Sequence, residues 1–260
     1  MPDPAVLRQA ALTGMLSTRG YVRVTDAALE LGVSEVTVRA DLTALERSGH
    51  AVRVHGGAMP ADALVREAPM ESARDRAAGA KRAIGVAAAR LVASGDCVFL
   101  DAGSTALAVA EALLLRRELQ GVVVVTSALP IALALEAGIP RLEVIVTGGT
   151  LRPLQHSLVN PFAAPMLDAL NVDLAVIGCT GIHPERGVTN VNIPEAEIKT
   201  RVIAAARRTV VVADGSKLGR VETALVAPLA DVDTLVTAGD AAPGVLDALR
   251  DAGLDVVAVG

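Results

Sequence analysis

Aromatic side chains are almost missing: Tyr21, Phe99 and Phe162 are the only ones among 260 residues, and there is no Trp. That scarcity excludes the stacking platforms used to bind single-stranded nucleic acid, and it leaves the core to Val, Leu, Ile and Ala. Cysteine is nearly as rare. Cys97 and Cys179 stand far apart without C-x-x-C spacing, which excludes a disulfide scaffold and a cysteine zinc site and suits a reducing compartment. No run of about 18 apolar residues escapes a charge or a strand-loop break, so no membrane span and no membrane partner are expected. The opening Met1-Pro2-Asp3-Pro4 carries no basic stretch before an apolar one, so no secretory leader is expected either. The expectation is a soluble cytoplasmic protein. An excess of positive charge is also lacking, since the net charge is −5.

The 52% hydrophobic content excludes a disordered chain, and the length allows one large domain or two unequal ones. Charge is unevenly spread. Residues 1–60 carry six basic and six acidic side chains, residues 61–90 a surplus of two positive charges, and the remainder a net −7. A front third less acidic than the body suggests two domains with different partners.

The pattern changes near residue 60. Val6 to Thr18 places apolar residues at Leu7, Ala11 and Met15, with Leu12 and Leu16 beside them, a helical stripe. Thr25 can cap a second helix that ends at Gly32, and Ser34 a third that Gly49 stops. Alternation in Ala51-Val52-Arg53-Val54-His55, followed by Gly56-Gly57, predicts a β-ribbon. Two capped helices with a following ribbon make a winged helix-turn-helix, whose second helix enters the DNA major groove; a three-helix interaction domain is the alternative. Val38, Leu42 and Leu45 point inward, so Val36, Ala40, Thr43 and Arg47, flanked by Thr37 and Arg39, face the groove. Val36 and Ala40 suit thymine methyls better than hydrogen bonding to guanine.

Residues 60–80 are polar and aperiodic, with Pro69 inside them, and predict a connector that is helical in part. Beyond lies a strand-loop-helix grammar. Strands are expected at Cys97–Leu100, Val122–Val125, Glu143–Val146, Leu174–Ile177, Val210–Ala213, Thr234–Val236 and Val256–Val259, with helices at Lys81–Val92, Thr105–Leu119 and Pro194–Arg207. This predicts an α/β domain with a mostly parallel sheet covered by helices. The organisation expected is 1–59 for DNA binding, 60–80 as connector and 81–260 as an effector-sensing domain.

In such a sheet ligands bind beyond the carboxyl ends of the strands, where small polar residues gather here. Gly103 lets backbone approach an anion, Ser104 and Thr105 offer hydroxyls, and the next helix offers free N–H groups. An ordinary capped helix start is the alternative. Lys199 is one of only three lysines and follows Glu195 by four residues, the spacing of a helix-surface ion pair or of a placed amine. His183 reads as an exposed loop residue, Cys179 as packed, and Gly148-Gly149 as a tight turn or a ligand approach.

The stretch from Arg23 to Arg39, then Asp41-Leu42, Leu45-Glu46 and Val54-His55-Gly56-Gly57-Ala58, resembles the DeoR-type winged helix-turn-helix. The resemblance continues through Leu100-Asp-Ala-Gly-Ser-Thr105, Gly148-Gly149, Ile177-Gly178, Gly181-Ile182, Glu195, Lys199 and Ala213-Asp-Gly-Ser-Lys217. The family's body is similar to sugar-phosphate isomerases of the ribose-5-phosphate isomerase type. The resemblance implies a DNA-binding regulator, a repressor of carbohydrate-utilisation genes controlled by a phosphorylated sugar or related phosphorylated metabolite. It implies no cofactor, no metal and no catalytic residue.

The DNA-binding set expected is Arg23, Ser34, Glu35, Val36, Thr37, Arg39, Ala40, Thr43, Arg47, Arg53 and His55, with Arg8 and Arg19 adding phosphate attraction. The effector set is Asp101, Gly103, Ser104, Thr105, Thr126, Ser127, Gly148, Gly149, Gly178, Gly181, Glu195, Lys199, Asp214 and Lys217. Departures from the family pattern are Ala40 for an arginine, Ser127 for Asn, Asn160 for Gly and Ala238 for Asp. They bear on the operator and the sugar-facing contacts. The partners expected are double-stranded operator DNA, the effector and further copies of the chain, as a dimer or tetramer. An isomerase with a DNA-binding appendage is the rival. It needs an acid in the loop after the fourth strand, and Gly178 to His183 holds none.

Overall fold

The computed structural model describes residues 4–19, 22–54, 56–60 and 70–260, and the chain divides into two units, Met1–Ala68 and Pro69–Gly260. The first unit runs α1 (Pro4–Arg19), β1 (Val22–Arg23), α2 (Val24–Leu31), α3 (Glu35–Arg47), β2 (Ala51–Val54) and β3 (Gly57–Pro60), with a three-stranded antiparallel sheet ordered β1-β3-β2. Leu12 and Leu16 from α1, Ala27 from α2 and Val38, Leu42 and Leu45 from α3 close a core of their own. Ser34 caps α3 as expected, accepting from the Thr37 N–H at 3.2 Å, and Gly32 ends α2 at φ 65°.

Two local expectations fail. Thr25 does not cap α2; its hydroxyl bonds Asp26 at 3.1 Å, and the helix begins two residues earlier than that cap would give, with Arg23 at the cap position. The reason is the ribbon. Val22 and Arg23 pair with Ala58 and Gly57, and the Val24 N–H, which would otherwise lack a partner at the helix start, donates to the Gly56 carbonyl at 2.9 Å. The α1 stripe also turns: Leu7 and Ala11 are exposed while Leu12, Met15 and Leu16 are buried. Arg8 and Gln9 turn inward to bond Asp41 of α3.

The second unit runs α4 (Met70–Asp75), α5 (Ala78–Ala89), β4 (Cys97–Leu100), α6 (Ser104–Leu115), β5 (Val122–Thr126), α7 (Leu129–Leu135), β6 (Leu142–Val146), β7 (Thr150–Arg152), β8 (Ser157–Val159), α8 (Ala163–Leu167), β9 (Leu174–Gly178), β10 (Gly181–His183), β11 (Gly187–Asn190), α9 (Ile193–Ala205), β12 (Thr209–Asp214), β13 (Ala224–Ala227), β14 (Thr234–Ala238), α10 (Val245–Asp251) and β15 (Asp255–Val259). Seven strands form one parallel sheet ordered β15-β14-β12-β9-β4-β5-β6, and they are the seven strands expected from the sequence.

Strand alternation loads both faces. Val98, Leu100, Val124, Val212 and Val236 pack with α5, α6 and α7, whereas Phe99, Val125, Ile177, Val211 and Leu235 pack with α8, α9, α10 and a small sheet, β10-β11-β13. With both faces covered, the strands read as continuous apolar runs rather than alternating ones.

Candidate functional site

The recognition helix α3 presents Val36, Arg39, Ala40 and Arg47 to solvent, with Thr37 and Thr43 half-buried. Ser34 and Glu35 are used within the helix, Ser34 as its cap and Glu35 in an i, i+4 pair with Arg39 at 2.6 Å. Arg23 is exposed beside the ribbon. His55 lies outside the described residues, as does the Arg19 side chain. Two arginines expected to attract phosphate are committed elsewhere. Arg8 forms an ion pair with Asp41, itself 5% exposed, and the Gln9 amide adds a contact at 3.3 Å. Arg53 turns its guanidinium back onto α3, donating to the Arg39 carbonyl and the Thr43 hydroxyl, each at 3.1 Å.

In the second unit the chain winds from β4 through β5 to β6 on one side, then places β9 against the other edge of β4 and continues to β15. The loops after β4 and β9 therefore leave at a switch point, where an open parallel sheet gapes. Asp101 ends β4 there. Gly103, at φ 123°, leads into α6 in a conformation that disfavours side chains, and Ser104 and Thr105 open the helix half-exposed.

Across the crevice α9 sends Lys199 inward. Its ammonium bonds the Asp101 carboxylate and the Gly178 carbonyl, the latter at 2.9 Å, while the Gly178 N–H donates to Asp101 at 2.9 Å. Lys199 and Asp101 are each 2% exposed, so the helix-surface pairing with Glu195 is ruled out. Burial works against the Lys199 charge, yet Asp101 and Glu195 more than offset it and hold its pKa above the ordinary value.

Glu195 faces a different partner. Arg152, from β7, meets its carboxylate at 2.5 Å and the Ser157 hydroxyl donates to it at 2.7 Å. Burial opposes this charge too, but Arg152, Lys199 and Ser157 keep the carboxyl below its usual range. Both carboxylates are thus matched by cations, each pair with little exposure to solvent.

The rest of the expected set divides. Thr126 is buried and its hydroxyl accepts the Ala128 N–H at 3.1 Å, while the Ser127 carbonyl receives Leu158 at 2.7 Å, so both serve the β5 turn and its join to β8. Gly149, at φ 128°, brings its backbone so near that a Cβ would stand 2.2 Å from the Val159 carbonyl oxygen. The pairing of β7 with β8 requires a glycine there, and Gly148 precedes it at φ 72°. Gly181 starts β10 against the Arg220 backbone. Asp214 caps the Gly215–Lys217 turn through the Ser216 N–H at 3.0 Å, with Lys217 half-exposed.

Arg152, Ser157 and Lys81 were not foreseen. Lys81 is 7% exposed, donates to the Ala73 and Arg76 carbonyls, and feels the Asp214 charge. Burial lowers its pKa, against the pull of Asp214. His183 lies in β10, its Nδ1 accepting the Glu185 N–H at 3.2 Å. Desolvation pushes the Cys179 thiol up to about 12. A cavity of about 430 Å³ lies around the amino end of β12, lined by Thr200, Ile203, Arg207, Thr209 and Asp233 among others, and no expected site residue lines it. Among the described residues no cluster of His, Cys, Asp and Glu could hold a metal, and no helix is long and apolar enough to cross a membrane.

A winged helix-turn-helix joined to an α/β unit with a buried charged cluster at its switch point defines a DNA-binding regulator with a sensor domain. Comparison with known proteins agrees. Residues 8–63 match the model of the DeoR-like helix-turn-helix domain, and residues 76–239 that of the DeoR C terminal sensor domain. The chain belongs to the DeoR family.

It is 32% identical over 256 residues to a putative aga operon transcriptional repressor of Escherichia coli O157:H7, covering 97% of this chain and 93% of that protein. It is 35% identical over 227 residues to the HTH-type transcriptional regulator GlpR of Haloferax volcanii, covering 87% of each. Among solved structures it aligns with ribose 5-phosphate isomerase A from Methanocaldococcus jannaschii at 22% identity and a TM-score of 0.39, over 53% of this chain and 52% of that one. The relatives are named transcriptional regulators, and this protein, a member of the same family with the same DNA-binding domain, is a transcriptional regulator.

Proposed function

We propose that the protein represses carbohydrate-utilisation genes and that a phosphorylated sugar intermediate, bound at the switch point, controls its hold on operator DNA. The observation that carries this reading is the start of α6 at the crevice. A 12-residue helix opens there on Gly103, with Ser104 and Thr105 half-exposed. Free N–H groups at a helix start, with their partial positive charge, favour an anion of phosphate size. The Lys199–Asp101 pair lies against the same crevice, and Lys217 stands at the end of β12 two strands away. A polyhydroxylated ligand suits the mixture of hydroxyls and charged groups. Repression is proposed by extension from the relative named a repressor.

On the DNA side, Arg23, Val36, Thr37, Arg39, Ala40, Thr43 and Arg47 form the proposed surface. A single module of this kind buries only about 600–1,000 Å² on DNA, so binding as a homo-oligomer on repeated half-sites is part of the proposal.

The test is calorimetric titration of the full chain with a panel of sugar phosphates and the corresponding free sugars, repeated on Ser104→Asp. An aspartate there places a fixed negative charge where the phosphate would sit. Binding of one phosphorylated member, lost in Ser104→Asp, is the expected result. Equal binding by both proteins would place the effector elsewhere.

A further inference from the structure

We propose that Arg53 is a positioning residue of the DNA-reading surface: it fastens the ribbon to the recognition helix and fixes Thr43, so that α3 meets the bases through an apolar stripe. Three contacts tie residue 53 of β2 to α3. Its backbone N–H donates to the Glu46 carboxylate at 3.0 Å, and its guanidinium donates to the Arg39 carbonyl and the Thr43 hydroxyl at 3.1 Å each. The Arg53 Nε is buried without a partner among the described residues. The guanidinium is thus oriented by its two helix contacts at the expense of a third donor, the opposite of what a phosphate-binding arginine at a protein surface requires.

The consequence falls on Thr43. Its hydroxyl donates to the Arg39 carbonyl at 2.8 Å and accepts from Arg53, so its one proton and one of its two lone pairs are spent within the protein. The branch left for the groove is the methyl. Val36, 73% exposed, and the exposed Ala40 continue that methyl at spacings of four and three along one helix face. The neighbouring cation, Arg39, is engaged with Glu35. A stripe of three apolar groups recognises thymine methyls in the major groove, and it does so only if the helix is held at a fixed angle to the ribbon.

Fluorescence anisotropy with two duplexes tests this: one selected from a random pool by the unaltered protein, and one random duplex, each measured across a series of salt concentrations. Arg53→Met is expected to weaken the selected duplex about tenfold, the worth of one to two hydrogen bonds, while random-duplex affinity and the salt slope stay unchanged. Arg53→Lys is expected not to rescue, because the lysine ammonium ends one bond short of the single nitrogen, Nη1, that donates to both acceptors, and lacks the planar guanidinium that aims it. Thr43→Val removes the acceptor by an independent route and should give the same loss; the double variant should be no worse than either single one.

A salt slope reduced by about 0.9 in Arg53→Met, with rescue by Arg53→Lys, would make Arg53 a phosphate contact and overturn the proposal. So would full selected-duplex affinity in Thr43→Val, a result available even if the Arg53 variants fail to fold. Replacing thymine by uracil in the selected duplex should weaken binding by the unaltered protein several-fold; no change would overturn the apolar stripe.

Discussion

Replacing Lys199 by Met separates a buried ion pair from a surface lysine more sharply than any other single change. Lys199 and Asp101 are each 2% exposed, and after the substitution the Asp101 carboxylate keeps backbone N–H donors, from Gly178 at 2.9 Å and from Ala102, but no cation. A lysine on a helix surface would cost under about 1 kcal/mol to remove. Removing one partner of a buried pair instead costs about 3–5 kcal/mol, because the remaining charge stays desolvated. The sign with pH follows from Asp101. Burial already pushes its carboxyl up, with Lys199 drawing it back; without Lys199 it rises further. A carboxyl whose folded pKa exceeds its unfolded one costs stability at high pH, and that cost fades as pH falls through the folded value. The deficit of Lys199→Met should therefore be largest at neutral pH and shrink on acidification.

Adding Asp101→Asn removes the orphaned charge and should restore stability to within about 2 kcal/mol of the unaltered protein. Urea unfolding followed by circular dichroism, at pH 7 and pH 5, measures all three proteins. A Lys199→Met protein within about 1 kcal/mol of the unaltered one at pH 7, with no gain from Asp101→Asn, would refute the reasoning.

Glu195 has the opposite sign. Its depressed carboxyl contributes stability that is present above its ordinary value of 4.5 and lost as pH falls through the lower folded value; Glu195→Gln should flatten the acid limb of the urea midpoint below about pH 4.5, and an unchanged limb would contradict the ion pair. Gly149→Ala should destabilise the second unit by about 1–3 kcal/mol, since its Cβ would meet the Val159 carbonyl at 2.2 Å; an unchanged urea midpoint would show that the hairpin yields. Cys179, with its thiol at about 12, should hold only about one thiolate in ten thousand at pH 8, so alkylation should be slow until denaturant is added. Rapid modification in the folded protein would contradict its desolvated setting.

The parallel sheet was legible because β-branched runs such as Val122–Val125 and Val210–Ala213 are buried on both faces and leave little choice of conformation. Ser34 and Gly32 were legible for the same local reason, since a cap and a left-handed turn depend on their neighbours alone. The charged cluster at the switch point was legible by position, because loops after parallel strands converge wherever the sheet reverses its winding. Its pairings were not. Lys199 and Glu195 are spaced like a surface pair, and only the approach of β4 and of the β7–β8 hairpin gives each a different partner. Arg152 and Lys81 left no sequence signal, as nothing local marks a basic residue that will be buried. The contacts of Arg8 with Asp41 and of Arg53 with α3 were not legible for the same reason: composition counts charges but does not show where they point.

The central claim, that an anionic sugar ligand at the switch point governs DNA binding, is tested most directly by one titration. The full chain is bound to a labelled duplex from the region upstream of its own coding sequence, and each sugar phosphate is added alongside its free sugar. One phosphorylated compound should lower duplex affinity by about 5- to 150-fold, the range of a coupling of 1–3 kcal/mol, while its free sugar does nothing and Ser104→Asp abolishes the response. Equal responses to the phosphorylated and free sugar, or an undiminished response in Ser104→Asp, would contradict it.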